Sequence, residues 1–136
     1  MSRFVLDTDT VQLFQDQNPR VLARVRAVTP GDLAISVVTV EEQMSGWYTQ
    51  LRKAKQPDRL AWAYRRLAAT VRFLAQIDII DFDESAIRRY EQLKKLKIQI
   101  RKMDLRIAAT VLQSGAILVT RNVRDFQPVP GLQIED

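Results

Sequence analysis

The chain has 136 residues, with 21 Lys and Arg against 16 Asp and Glu, which gives a formal net charge of +5. It contains no histidine and no cysteine. These absences exclude an imidazole base, a thiol nucleophile, a disulfide framework and a zinc site built on thiolates or imidazoles. Any chemistry must therefore use carboxylates, hydroxyls, amides, Lys and Arg, and any bound metal would be a hard ion such as Mg²⁺ or Mn²⁺.

The length predicts a single domain over residues 1–136, and the positive charge favours a polyanionic partner. Arg3, Asp7 and Asp9 interrupt the apolar residues at the start of the chain, so no signal peptide is predicted. The apolar runs are also far too short for a membrane span. We therefore expect a cytoplasmic protein that makes no membrane contact.

Five short apolar runs predict β-strands because they are rich in β-branched or bulky side chains. In chain order these runs are residues 3–6, 33–38, 77–82, 116–120 and 132–134. Between them, apolar residues recur at the helical period of 3.6. The predicted helices are residues 11–28 with a break at Asn18-Pro19, 39–53, 57–74, 84–96, and 105–113 with Gly115 as its stop. This alternation predicts an α/β fold, in which helices cover both faces of a parallel sheet.

Acidic residues stand near the ends of the predicted strands. Asp7 and Asp9 follow the first strand, and Glu42 lies in the first turn of the helix after the second. Asp104 opens the helix before the fourth strand, and Asp125 follows that strand. If the strand order is 3-2-1-4-5, it reverses between strands 1 and 4, where open parallel sheets bind their ligands. The acids would then converge, and their mutual repulsion would require a cation.

Each of these acids also has a purely structural explanation. Thr39 and Glu42 fit the capping box of a helix start, and Asp104 is placed to cap the helix over 105–113. The remaining three fit a helix cap or a turn: Asp7, Asp9 and Asp125. Taken singly, neither explanation is favoured, but caps have no reason to converge on one edge of a sheet.

Basic residues are concentrated in residues 88–106, which hold eight Lys and Arg against two acids. One interpretation is a solvated helix face. The other is a basic rim that contacts phosphodiesters beside an acidic pocket that binds metal. On the second interpretation, the residues expected to contact a nucleic-acid backbone are Lys95, Lys97, Arg101 and Lys102.

Four ordered blocks of sequence resemble a known family: residues 4–10 (FVLDTDT), 35–42 (ISVVTVEE), 104–109 (DLRIAA) and 118–126 (LVTRNVRDF). In this order and spacing, the chain resembles a PIN-domain ribonuclease, the VapC-type toxin of bacterial toxin–antitoxin pairs. The resemblance implies a PIN-like, Rossmann-like parallel sheet of about five strands in the order 3-2-1-4-5, flanked by helices.

The resemblance also implies a site and an activity. Four acids would hold Mg²⁺ or Mn²⁺: Asp7, Glu42, Asp104 and Asp125. Polar support would come from Thr120, Asn122 and Asp9. The implied activity is metal-dependent endonucleolytic cleavage of RNA, and the implied partners are a small antitoxin and a second copy in a homodimer.

Two details complicate this assignment. Glu41 competes with Glu42, because a shift of one residue in register would exchange them. Residues 100–103 (IRKM) are bulky and basic where relatives often have a small residue.

Two alternative functions remain open at this point. Residues 7–10 (DTDT) after an apolar strand also resemble the opening motif of haloacid-dehalogenase-like phosphatases, in which Asp7 would be the nucleophile and Asp9 the general acid. The second alternative is a non-catalytic PIN domain that binds RNA or a protein.

Overall fold

The computed structural model describes residues 3–136, so Met1 and Ser2 of the predicted domain lie outside the described residues. A short 3-10 helix, Pro30–Asp32, precedes the second strand. The strands are β1 (Phe4–Leu6), β2 (Leu33–Ser36), β3 (Asp78–Ile80), β4 (Ile117–Val119) and β5 (Ile134–Glu135). The helices are α1 (Thr8–Gln15), α2 (Pro19–Arg26), α3 (Val37–Lys53), α4 (Pro57–Leu74), α5 (Glu84–Lys94), α6 (Lys102–Ser114) and α7 (Val123–Phe126).

The five strands form one parallel sheet in the order β3-β2-β1-β4-β5, which confirms the predicted fold class and strand order. β1 lies at the centre. Its last residue, Leu6, is in register with Ile35 of β2 and with Val119 of β4. Because the strands are parallel and in register, the segments that follow β1, β2 and β4 emerge at the same edge of the sheet.

Hydrophobic residues pack on both faces of the sheet, as expected for a parallel sheet between helices. Successive side chains of a strand point to opposite faces. Val5 accordingly packs in one core cluster with Ala108 and Val111 of α6, whereas Leu6 packs in the other with Val11 of α1 and Leu74 of α4. The central strand is therefore covered on both sides, which fixes the position of the residue that follows it.

The start of α3 differs from the prediction. Strand β2 ends at Ser36, whose Oγ accepts a hydrogen bond from the backbone N–H of Val38 at 3.0 Å, so the helix begins at Val37. The predicted strand over 33–38 was too long, and the capping box predicted at Thr39 was wrong. Thr39 instead lies fully buried within the first turns of the helix.

The boundaries of α6 also bear on the site. Arg101 occupies the N-cap position and Asp104 lies in the first turn, so the alternative of Asp104 as the N-cap was wrong. The helix ends at Gly115, as predicted, where φ is +68° and the left-handed conformation favours glycine. Within residues 3–136, none of the helices is both long enough and apolar enough to cross a membrane.

Candidate functional site

Asp7 follows the central strand directly and is 3% exposed. Its Oδ1 accepts a hydrogen bond from the backbone N–H of Thr10 at 2.9 Å, and its Oδ2 accepts one from the hydroxyl of Thr120 at 2.6 Å. Asp7 is therefore the N-cap of α1 and also part of a contact between β1 and β4. Burial raises the pKa of the Asp7 carboxyl above its ordinary value, against the opposing effect of these hydrogen bonds.

The residues after β4 support this carboxylate. Thr120 is fully buried and accepts a hydrogen bond from the backbone N–H of Asn122 at 2.9 Å while it donates to Asp7. The side-chain amide of Asn122 donates to Oδ2 of Asp9 at 3.0 Å. The three residues predicted as polar supports are thus joined to Asp7 by one chain of contacts, with Asp9 at its exposed end.

Glu42 faces this site from α3. Its Oε1 accepts a hydrogen bond from the hydroxyl of Thr8 at 2.6 Å, and the Thr8 hydroxyl also lies 3.2 Å from that of Thr39. Glu41, the competing candidate, is exposed and has no side-chain hydrogen bond among the described residues. The geometry therefore places Glu42, rather than Glu41, next to the Asp7 segment.

The guanidinium of Arg101 lies between two of the predicted acids. Its Nε and Nη2 donate to Oδ2 and Oδ1 of Asp104, each at 3.0 Å, and Nη2 also donates to Oε2 of Glu42 at 3.3 Å. The hydrogen bonds to Asp104, followed by the negative charges of Asp104 and Glu42, raise the pKa of Arg101 above its ordinary value. Arg101 was predicted to contact an RNA backbone, whereas the structure pairs it with Asp104 and Glu42.

The donor atoms at this edge are all oxygens, which suits a hard cation such as Mg²⁺ or Mn²⁺. Over residues 3–136, however, no three acidic side chains lie close enough together to hold a metal ion. Glu42 and Asp104 are instead bridged by Arg101, and Asp125 is exposed on α7 with no side-chain hydrogen bond to the other acids. Of the four predicted ligands, Glu42 and Asp104 are thus linked by Arg101, and Asp7 is linked to Glu42 through the adjacent Thr8. Asp125 has no such link among the described residues.

Two further surface features bear on the predicted RNA binding. The other predicted RNA contacts, Lys95, Lys97 and Lys102, are exposed and make no ion pair within residues 3–136. On the other side of Glu42, an open groove of about 270 Å³ has polar and aromatic walls. Its lining residues besides Glu42 are Gln12, Gln43, Gly46, Trp47 and Gln50.

Two contributions were not predicted from the sequence. Thr8 stands between Asp7 and Asp9 in the sequence, and no sequence pattern shows that its hydroxyl reaches Glu42 on α3. The sequence does contain an indication of the pairing between Arg101 and Asp104. Residues three apart at a helix start are neighbours, and opposite charges at that spacing attract.

The model of the PIN domain family matches residues 4–132, and the chain therefore belongs to the PIN-domain family. Several of its relatives are VapC proteins. The tRNA(fMet)-specific endonuclease VapC of Shigella flexneri is 33% identical over 141 residues, which cover 100% of this chain and 98% of the relative. Ribonuclease VapC2 of Haemophilus influenzae is 28% identical, again over 100% of this chain and 98% of the relative.

Solved structures show the same architecture. The DNA-bound VapBC of Salmonella typhimurium contains a chain with a TM-score of 0.80 and 26% identity, with coverage of 100% of this chain and 98% of that one. VapBC2 of Rickettsia felis, bound to a promoter fragment, gives a TM-score of 0.77 at 23% identity, covering 97% and 96% of the two chains. The second likeness concerns the fold alone.

The raised pKa of Asp7 predicts how the substitution Asp7→Asn affects stability. Ionised Asp7 is poorly solvated in the folded state, so it lowers stability as pH rises from the ordinary carboxyl value of 3.8 through the higher folded value. Asparagine keeps the Oδ1 cap without the charge. We expect Asp7→Asn to be at least as stable as wild type at pH 7, with an advantage that shrinks toward pH 4, in urea unfolding with EDTA present.

The exposed carboxylate of Asp125 provides the matched control for this experiment. Asp125→Asn should change the free energy of unfolding by less than about 0.5 kcal/mol at both pH values. A loss of more than about 2 kcal/mol for Asp7→Asn at pH 7 would contradict the prediction, because it would show that the buried charge stabilises the fold.

Proposed function

We propose that this chain is a divalent-metal-dependent endoribonuclease and the toxin of a toxin–antitoxin pair. The observation that supports this best is a series of contacts at one edge of the sheet: Thr8, which follows Asp7, donates to Glu42 of α3, and Arg101 bridges Glu42 and Asp104 of α6. The membership in the PIN family and the VapC ribonucleases among the relatives agree with it.

In this proposal, Asp7, Glu42 and Asp104 hold Mg²⁺ or Mn²⁺, and Asp125 is the fourth acid. When bound, such a metal supplies an activated water and charge neutralisation at the phosphate, in a protein that has no histidine to act as a base. Thr120 fixes one oxygen of Asp7 and Thr8 fixes one oxygen of Glu42. These hydroxyls hold the carboxylates in position, as the outer contacts of a metal site do.

The phosphatase alternative does not fit this environment. In-line attack by Asp7 would need room for a whole phosphoryl group at one of its oxygens, whereas a metal ion needs room for a single atom. The side chain is 3% exposed and both of its oxygens accept hydrogen bonds, which favours the smaller ligand. The general acid of that alternative, Asp9, is paired with Asn122. The phosphatase motif also accounts for only residues 7–10, whereas the PIN family accounts for residues 4–132.

The proposed RNA contacts are the exposed cations before and at the start of α6. Lys102 lies next to Arg101 at the start of α6, and Lys95 and Lys97 lie in the segment between α5 and α6; all three are exposed and free of ion pairs among the described residues. Cations in such positions bind phosphates without sequence preference. The groove of about 270 Å³ that Glu42 lines provides space for a nucleotide next to this carboxylate.

The central test is a cleavage assay. The purified chain should cleave RNA in the presence of Mg²⁺ or Mn²⁺ and not in the presence of EDTA. The substrates are total cellular RNA and an initiator tRNA, which is included because the relative from Shigella flexneri is a tRNA(fMet)-specific endonuclease. Asp104→Asn and Glu42→Gln should each lower the rate at least about 100-fold, because each removes a proposed metal ligand. Glu41→Gln is the matched control and should retain the wild-type rate, and Asp9→Asn should lose less than either.

Two results would overturn the assignment. Cleavage that persists in EDTA would remove the metal from the mechanism. A folded chain that binds RNA and cleaves none of these substrates with either metal would favour the non-catalytic PIN domain.

The proposed RNA contacts predict a salt dependence. In an inactive Asp104→Asn background, replacing Lys95, Lys97 and Lys102 with Gln should weaken binding to unrelated RNAs alike. The slope of log affinity against log salt should become shallower by about 2, because fewer counterions are released. Fluorescence anisotropy over a series of salt concentrations measures both effects.

A second triple variant controls for the loss of net charge. It removes three exposed cations at and beyond the end of α3: Arg52, Lys53 and Lys55. This control should leave the salt slope unchanged. Equal slopes for the lysine variant and wild type would identify the basic segment as a solvated face only.

The proposed partner is a small antitoxin protein, and the proposed oligomer is a homodimer. An apolar groove of about 240 Å³ next to α2 is lined by Val21, Val25 and Leu33 and has Arg20 and Arg121 among its polar residues. Such a groove suits the apolar side chains of an amphipathic segment that also bears acidic groups. The solved relatives are complexes described as VapBC, which supports an antitoxin for this chain.

The toxin role predicts a growth phenotype. Expression of the wild-type chain alone should arrest growth, and expression of the Asp104→Asn variant at the same level should not. Coexpression of the neighbouring small gene should restore growth, which colony counts after induction measure. Wild-type expression without any growth defect would overturn the toxin role and leave the nuclease chemistry to the cleavage assay.

A further inference from the structure

One arginine of this chain joins two acids that belong to different helices. Arg101 donates two hydrogen bonds of 3.0 Å to the two oxygens of Asp104 and a third of 3.3 Å to Glu42. Paired donors of this kind match the geometry of a carboxylate and give one of the stronger contacts between side chains. The guanidinium is thus an internal cation at the place where the proposed function puts a metal.

The exposure of the three side chains differs sharply. Those of Glu42 and Asp104 are 15% and 14% exposed, whereas that of Arg101 is 67% exposed. The two carboxylates therefore have little access to water and need a neighbouring cation. Arg101 approaches them from the solvent side, so its side chain can leave the acids without unpacking the core.

The backbone does not require arginine at this position. Arg101 occupies the N-cap position of α6, but its side chain makes no capping hydrogen bond. Its φ of −60° and ψ of 146° are accessible to any residue. The helix start is therefore formed without the guanidinium, and what the side chain contributes is its charge on Glu42 and Asp104.

We propose that Arg101 is a built-in competitor of the divalent cation, whose guanidinium neutralises Glu42 and Asp104 until a metal ion displaces it. This inference rests on the proposed function, because it concerns the same carboxylates. Both oxygens of Asp104 accept hydrogen bonds from Arg101, so a metal ion that binds this carboxylate must displace a guanidinium of like charge from it. The apparent metal affinity is therefore the intrinsic affinity multiplied by the fraction of molecules in which the arginine has left the acids.

The displacement also changes the charge at the site. Arg101 contributes one positive charge to two carboxylates, and a divalent ion contributes two. Without Arg101, the apo protein would hold two nearly buried carboxylates without their cation, which destabilises it relative to the metal-bound form. Removal of the arginine should thus both tighten metal binding and increase the thermal stabilisation that the metal provides.

The test measures Mn²⁺ binding without RNA, by calorimetry and by the electron paramagnetic resonance signal of free Mn²⁺. Arg101→Gln should bind Mn²⁺ about tenfold more tightly than wild type and should show a larger rise in Tm on addition of Mn²⁺. Arg101→Lys should fall between the two, because an ammonium cannot pair with both oxygens of Asp104 as a guanidinium does.

Two further variants make the measurement specific. Lys102→Gln removes the same charge one residue away, from a side chain without an ion pair in the described part of the chain, and should change the Mn²⁺ affinity less than about twofold. Adding Asp104→Asn to Arg101→Gln should abolish the tight binding, which locates the ion at the proposed site.

The possible results separate this inference from the proposed function. Equal Mn²⁺ affinities for wild type, Arg101→Gln and Arg101→Lys would overturn the competition and leave the metal site intact. Weaker binding by Arg101→Gln would also overturn it, since Arg101 would then be organising the site. No Mn²⁺ binding by any variant would overturn both proposals, as would tight binding that survives Asp104→Asn. Arg101→Lys decides the matter if Arg101→Gln fails to fold.

Discussion

The burial of carboxylates at one edge of the parallel sheet is the constraint on which the rest of this structure depends. A carboxylate that has lost most of its water is raised in energy unless hydrogen bonds or a cation compensate its charge. The fold meets this constraint in two ways. Around Asp7 it uses neutral donors, namely the Thr10 backbone and the Thr120 hydroxyl. Between Glu42 and Asp104 it uses the charge of Arg101.

The two kinds of compensation have different consequences. Hydroxyl and backbone donors orient a carboxylate and leave its negative charge available, so Asp7 remains a potential cation ligand despite its burial. An arginine cancels the charge as well as orienting the group. The site therefore has one side that is permanently organised by the strands and another whose charge depends on an exposed side chain. Threonine supplies most of the neutral donors, in a chain that has no histidine.

The fold was predictable because its determinants are local and periodic. Short apolar strands separated by amphipathic helices specify a covered parallel sheet, and the positions of Asn18 and Gly115 mark where helices begin and end. The start of α3 was not predictable in this way, because Ser36 and Thr39 are both residue types that cap helices. The choice depends on where β2 stops pairing with β3, at Ser36 and Ile80.

The candidate site was predictable in its acids and not in their partners. Asp7, Glu42 and Asp104 follow from their positions relative to the strands, but the sequence cannot show how long side chains distribute themselves among them. Arg101 belongs to a run of cations in which every member looks alike, and only the fold shows that this one turns toward Asp104. Asp125 shows the limit of position as a guide, since its place after β4 leaves its side chain exposed and without a hydrogen bond to the other acids among the described residues.

The pairing of β1 with β4 has a consequence for how the protein is made. The first strand of the chain occupies the centre of the sheet, and its neighbour on one side, Ile117–Val119, is more than a hundred residues away in sequence. Contacts across such a separation form late and limit the rate of folding. During synthesis, Asp7 emerges from the ribosome long before Thr120, the donor of its 2.6 Å hydrogen bond. The acidic edge therefore cannot be completed on an unfinished nascent chain, in which the central strand has β2 as a neighbour but still lacks β4.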